Sequence, residues 1–141
     1  MKVILFVALP SELPKEVVPN GIEVHYTGVG KVNAAIKATE TLKDLDPTNT
    51  IVINYGSAGG HSVMVGNLFK CKTFVQNEDH FQTIPSVICD MESYSIAKVC
   101  KIYGFDFTAY KYVSDSGNPD DWQVNHNKGI EMFLDKLKNT P

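Results

Sequence analysis

Hydrophobic and polar positions change their spacing several times along this chain, and each change marks an element. Residues 2–9 are a nearly unbroken apolar run, Lys2 apart, which predicts a buried strand. Pro10, Pro14 and Pro19 then break the chain into a loop with one helical turn around Ser11-Glu12-Leu13. Residues 22–27 alternate as a second strand and end at Gly28-Val29-Gly30. From Val32 to Leu45 the spacing becomes helical, with Ala35, Ala38, Leu42 and Leu45 on one face, and Asp46-Pro47 stops it. Residues 50–55 read as a third strand, and Val63 to Val75 contains one or two more, broken near Gly66-Asn67. A helix from Asp90 to Tyr103 places Glu92, Ile96, Val99, Cys100 and Tyr103 on one stripe, and Gly104 suits its C-cap. Phe105 to Val113 is another strand. A last helix is expected from Asp121 to Lys138, with Ile130, Phe133, Leu134 and Leu137 inward. Strands alternating with helices, without repeat or linker, predict one α/β layered domain over residues 1–141.

Composition narrows the picture. With 43% hydrophobic and 21% charged residues, the chain fits a soluble globular class. No apolar run reaches membrane-spanning length, so no membrane partner is expected. The short apolar start is read as structure rather than as a signal peptide. Cys71, Cys89 and Cys100 show no CxxC spacing and are expected as reduced core thiols in a cytoplasmic protein. A net charge of −3 argues against nucleic acid as a partner. All 13 basic residues are Lys. Arg is the usual fork for phosphate, so its absence argues against a tight phosphate dianion site; AT-rich coding would produce the same bias.

The candidate chemistry lies at element ends. Asp90-Met91-Glu92 opens a helix and Ser114-Asp115 ends the next strand, an order that brings distant carboxylates to one end of a layered sheet. Asn54-Tyr55-Gly56-Ser57-Ala58-Gly59-Gly60 is expected as a turn delivering amide N–H groups and a hydroxyl there, which suits a polar, sugar-like ligand. Gly28-Val29-Gly30 lacks the third glycine of a dinucleotide fingerprint, since Asn33 occupies that position, and reads better as a tight turn beside a ligand. Asp90 suits compensation of the helix dipole. Glu92 falls on the buried stripe, where an unpaired carboxylate is costly, so a ligand role fits it better. Taken alone, Asp115 could be an ordinary Asx turn into Ser116-Gly117-Asn118-Pro119, and Glu12 an ordinary surface acid. His61 and His80 could approach the site, but no metal spacing is present, and no cofactor is expected.

Taken together, these segments resemble the purine nucleoside phosphorylase superfamily, most closely its 5′-methylthioadenosine/S-adenosylhomocysteine nucleosidases. Val7-Ala8-Leu9-Pro10-Ser11-Glu12 is similar to the family's first strand and the loop carrying its catalytic Glu. Thr27-Gly28-Val29-Gly30-Lys31-Val32-Asn33-Ala34-Ala35 is similar to its Gly-rich turn. Asn54 to Gly60 resembles its Asn-Thr-Gly-Ser-Ala-Gly-Gly motif and Asp90-Met91-Glu92 its Glu-Met-Glu ribose motif. Ser114-Asp115 resembles its purine-protonating pair, and Glu78-Asp79-His80-Phe81 the segment whose Phe stacks on the base. The resemblance implies a three-layer α/β/α fold with a mixed twisted sheet. Part of the family's middle is missing between Gly60 and Asp90, and Lys111 stands where the family usually has an Arg.

The resemblance also implies a reaction, hydrolysis of the N-glycosidic bond of a purine nucleoside. Asp115 would give a proton to purine N7, and Glu12 would orient or deprotonate the attacking water. Glu92 and Asp90 would serve the ribose, with Met91 against the sugar face and Lys111 nearby. Ser57, Ala58 and Gly59 would line the pocket, Phe81 would stack on the base and Val29 would line the 5′ side. The expected partner is a small-molecule purine nucleoside, and the expected assembly a homodimer or higher homo-oligomer. Phosphorolysis or nucleosyl transfer, and nucleoside binding without catalysis, are the competing readings.

Overall fold

The computed structural model describes residues 1–72, 74, 90 and 92–138. Its sheet has five strands among these residues: β1 (Lys2–Val7), β2 (Ile22–Tyr26), β3 (Thr50–Gly59), β4 (Leu68–Cys71) and β5 (Asp106–Asp115). Their spatial order is β2-β1-β3-β5-β4. β1 is parallel to both β2 and β3, and β3 is parallel to β5; β4 runs antiparallel to β5, so the sheet is mixed. Four parallel carboxyl ends therefore share one edge of the sheet, the usual location of ligand sites in open α/β folds.

Helices cover both faces. On one, α1 (Lys31–Leu42) and α2 (Ser93–Tyr103) bury Ala34, Ala38, Leu42, Ile96, Val99 and Cys100 against Ile4, Phe6, Val52 and Phe107. On the other, α4 (Ile130–Lys138) packs Phe133 and Leu137 against Leu5, Val7, Ile53, Tyr55 and Tyr110. Strand alternation sends successive side chains to opposite layers, so each interior strand serves both cores. The expected three-layer α/β/α arrangement is present, and the shortened form fits a chain of 141 residues.

Several boundaries differ from the sequence reading for physical reasons. The turn expected at Asn54–Gly60 is mostly strand: β3 continues to Gly59 because its pairing with β5 persists through Gly56 with Lys111, Ser57 with Tyr112 and Ala58 with Val113. The register shifts only between Ala58 and Gly59. The helical turn expected at Ser11-Glu12-Leu13 forms instead as a 3₁₀ turn at Lys15–Val17, although Glu12 N–H still donates back to Leu9 O at 3.0 Å. In α1 the fully buried alanines are Ala34 and Ala38 rather than Ala35 and Ala38, and the helix ends at Leu42, short of Leu45. Tyr103 lies at the exposed end of α2 rather than on its buried stripe. Gly104 closes that helix in the left-handed conformation, with Phe105 N–H returning to Cys100 O at 2.8 Å.

The last helix is two helices, α3 (Pro119–Asn125) and α4. The break includes Gly129, where a Cβ would overlap the Tyr112 ring. Only glycine lets the backbone pack that closely on β5. Between Val63 and Val75 the described residues form a 3₁₀ turn, Ser62–Met64, and β4. Cys71 and Cys100 are free thiols, and burial with the Asp106 charge pushes the Cys100 thiol up to about 12; Cys89 lies outside the described residues. No described helix is long and apolar enough to cross a membrane.

Candidate active site at the carboxyl edge of the sheet

The loop after β1 carries Glu12, which folds back under the end of β3. Its Oε2 accepts both the Ser57 N–H, at 2.8 Å, and the Ser57 hydroxyl, at 2.7 Å. Its Oε1 accepts the Leu9 N–H at 3.2 Å. A carboxylate 4% exposed with three donors is fixed in place, so the surface-acid reading of Glu12 does not hold. Ala58 is buried in the same strand, and Gly59 pairs with Asp115 across the sheet.

Glu92 and Asp90 reach the same edge from the start of α2. Glu92 Oε2 accepts the Gly30 N–H at 2.9 Å, linking α2 to the Gly-rich turn after β2. Asp90, two residues before the N-cap Glu92, ties down the first residue of α2: its Oδ2 accepts the Ser93 N–H at 2.9 Å and the Ser93 hydroxyl at 2.6 Å. Ser93 Oγ also lies 3.1 Å from Asn54 Oδ1, while Asn54 Nδ2 donates to Phe6 O at 2.9 Å. This polar chain ties α2 to β3 and β1.

Lys111, on β5, is buried among these acids. Its ammonium lies 2.7 Å from Asp90 Oδ2 as an ion pair, but no described residue provides a well-aligned hydrogen-bond acceptor. Gly56 makes the space: a Cβ there would sit 3.1 Å from Lys111 Nζ and 3.5 Å from Glu12 Oε2. Burial alone would lower the Lys111 pKa; the charges of Asp90, Glu92 and Glu12 raise it above the usual lysine value. For Asp90, burial opposes ionisation, but the Lys111 charge and the Ser93 hydrogen bonds outweigh it and hold the carboxyl below its usual value. For Glu92, burial wins despite Lys111 and Gly30, and the carboxyl sits above its usual value.

Asp115 ends β5, nearly buried. Its Oδ1 accepts the Gly117 N–H at 2.8 Å and its Oδ2 the Ser114 hydroxyl at 2.9 Å. The Asx-turn geometry expected of an ordinary loop acid is therefore present, but on a carboxylate only 9% exposed at the shared edge. Val29 is half exposed beside the Gly-rich turn. Phe81, Met91 and His80 lie outside the described residues. His61 caps the Ser62–Met64 turn and is exposed. Among the described residues, no group of three or more His, Cys, Asp or Glu could hold a metal ion.

Sequence reasoning placed most of α3 in one long last helix but did not bring it to the site. Trp122 Nε1–H donates to Ser57 Oγ at 2.8 Å, and the His126 ring stacks on Trp122 with centroids 4.4 Å apart. His126 Nε2 lies 3.1 Å from Ser11 Oγ, beside Glu12. The available signal was Asn118-Pro119, a helix start just after Asp115.

No protein-family model and no curated protein matches the sequence. Solved structures match the fold. A 5′-methylthioadenosine/S-adenosylhomocysteine nucleosidase from Helicobacter pylori, complexed with an aminopyrrolopyrimidine-pyrrolidine ligand, superposes with a TM-score of 0.78 at 14% identity, covering 99% of this chain and 97% of that one. The Colwellia psychrerythraea nucleosidase of the same type, in complex with adenine, gives 0.67 at 17% identity over 90% and 88% of the two chains. A futalosine hydrolase mutant from Helicobacter pylori gives 0.75 at 15% identity over 98% and 97%. The chain thus shares the fold of these structures.

Proposed function

We propose that the protein hydrolyses the N-glycosidic bond of a purine nucleoside of the methylthioadenosine/S-adenosylhomocysteine class, releasing the free base. The observation that carries this reading is the pair of buried acids at one sheet edge: Glu12 locked by Ser57, and Asp115 held by Ser114 and Gly117. The fold shared with nucleosidases, one of them holding adenine, supports it.

In the reaction, the C1′–N9 bond breaks as water oxygen bonds to C1′. Asp115 delivers a proton to purine N7, so the base leaves without a full negative charge. Glu12 receives the proton of the attacking water. Two donors occupy its Oε2 and one its Oε1, which leaves a lone pair of Oε1 for that water. Glu92, already accepting one amide hydrogen, uses its remaining capacity on the ribose hydroxyls, with Asp90 and Lys111 beside it. Ser57, Ala58 and Gly59 form the wall and Val29 lines the 5′ side; the roles the resemblance gives Met91 and Phe81 fall outside the described residues.

Charge favours water over phosphate as the nucleophile. Lys111 faces Asp90, Glu92 and Glu12, so a phosphate dianion would meet three carboxylates and one cation already engaged. The assembly we propose is a homodimer. Val32 and Ile36 form an exposed apolar row on α1, next to the turn bearing Val29, and a second copy would cover it. Light scattering showing only monomer at micromolar concentration would contradict that assembly.

The reaction is tested by incubating the protein with methylthioadenosine, S-adenosylhomocysteine, adenosine and inosine, with and without phosphate. Free base formed without phosphate is the expected result. A sugar 1-phosphate appearing only with phosphate, or binding with no turnover of any of the four, would overturn the proposal.

A further inference from the structure

We infer that Trp122 is a positioning residue for Glu12, acting through the Ser57 hydroxyl, and that α3 is the strut that sets the catalytic base in register with the acid. The catalytic part of this inference rests on the reaction proposed above; the geometric part does not.

The argument begins with hydrogen-bond direction. An indole N–H can only donate. At 2.8 Å from Ser57 Oγ it forces that oxygen to accept, so the single hydroxyl hydrogen of Ser57 must point elsewhere. Glu12 Oε2, at 2.7 Å, receives it. The same carboxylate oxygen also takes the Ser57 N–H, which fixes the carboxylate plane from two directions. Without the indole donor, the hydroxyl can rotate about its C–O bond, and Glu12 loses a permanently aligned partner.

The strut starts three residues after the acid and is tied back to the acid's strand at its far end. Asn118 caps its start by accepting the Asp120 N–H at 2.9 Å. Asn125 Nδ2, at its far end, donates to Ser114 O of β5 at 3.1 Å. Trp122 lies between the two and reaches across to β3. His126 adds a second clamp. Its Nδ1 faces the Trp122 and Gln123 carbonyls at 3.1 and 3.2 Å, so that nitrogen carries hydrogen and donates. The ring stacks on the indole, and Nε2 contacts Ser11 Oγ in the loop that presents Glu12. Glu12 is thereby held to α3 through Ser57 on one side and through Ser11 on the other. No covalent step is assigned to Trp122 or His126.

The test combines kinetics with a spectroscopic signal, because Trp122 is the one tryptophan of the chain. Trp122→Phe keeps an aromatic ring for the His126 stack and removes the donor together with the five-membered ring that carries it. The expected result is a kcat lowered on the order of 10-fold, the worth of one hydrogen bond on a charged chain, with KM for methylthioadenosine changed less than about 2-fold. In a Ser57→Ala background, the same substitution should lower kcat no further, since the path runs through that hydroxyl. Equal losses in both backgrounds, or an unchanged kcat in Trp122→Phe, would overturn the inference. The second readout needs no turnover: Ser57→Ala, with Trp122 intact, should shift the tryptophan emission maximum or lifetime by freeing the indole N–H. An unshifted emission would overturn the geometry. A shifted emission in a protein that cleaves no nucleoside would instead overturn the proposed reaction and leave the Trp122–Ser57–Glu12 link standing.

Discussion

The two sides of the candidate site hold their acids by different means. On the α2 side, Asp90 and Glu92 stand two residues apart and share one cation, yet shift in opposite directions. Asp90 overcomes its burial through Lys111 and Ser93 and stays below its usual pKa; for Glu92, burial outweighs the Lys111 charge and the Gly30 amide. On the opposite side, Glu12 feels the Lys111 charge but forms no ion pair among the described residues, and is held by three hydrogen-bond donors. The difference teaches that charge pairing here builds the scaffold, through Asp90 and Lys111, while directed hydrogen bonds prepare the groups proposed to meet substrate. Glu92 is the exception that supports the rule: an acid paired poorly enough to gain from a ribose hydroxyl.

The largest effect should come from the hydrogen-bonded side. Glu12→Gln keeps the shape and the Ser57 contacts but cannot accept a proton from water. Steady-state kinetics on methylthioadenosine should show turnover reduced on the order of 10²- to 10⁴-fold. A loss below about 10-fold would remove the distinction between the two sides.

The paired side should respond in stability first. Lys111→Met leaves Asp90, Glu92 and Glu12 without their shared cation and should destabilise the fold by about 3–5 kcal/mol, read by urea unfolding. Little change would mean that the ion pair is not structural. Glu92→Gln should separate the two functions within one helix turn, weakening nucleoside binding as well as turnover, since its hydrogen bonds exist before the transition state.

The smallest effect is in pH. Asp90 has a depressed folded pKa, so its contribution is present above the ordinary carboxylate range and is lost as pH falls through the folded value. Glu92 has a raised one, so its contribution is complete below the unfolded pKa and is lost as pH rises through the folded value. Thermal unfolding should therefore find Glu92→Gln at least as stable as the parent at neutral pH, with the gap closing below about pH 4. A gap that widens at low pH would reverse the assignment.

Much of this was legible in the sequence because it depends on local pattern. The apolar run of β1, the spacing of Ala38 and Leu42, and Gly104 after a helical stripe each carry their own element. The order of motifs around Glu12, Ser57, Glu92 and Asp115 placed these residues at one edge, because parallel strands deliver their carboxyl ends together. Contacts distant in sequence were not legible. Ser57 looked like a turn residue because Gly56, Gly59 and Gly60 surround it, whereas pairing with β5 keeps it in a strand and Gly56 only clears space for Lys111. The break before α4 depends on Gly129 meeting Tyr112, and the role of Trp122 on a partner 65 positions away. Neither leaves a periodic trace.

The central claim, acid-assisted hydrolysis at this edge, is tested most directly by measuring adenine release from methylthioadenosine in phosphate-free buffer, wild type against Asp115→Asn. An amide can still hydrogen-bond to N7 but cannot transfer the proton that lets the base leave. The account predicts steady adenine release by the wild type, and release slower on the order of 10²- to 10⁴-fold in the variant with ligand binding largely retained. Near-equal release by the two proteins, or none by the wild type, would contradict it.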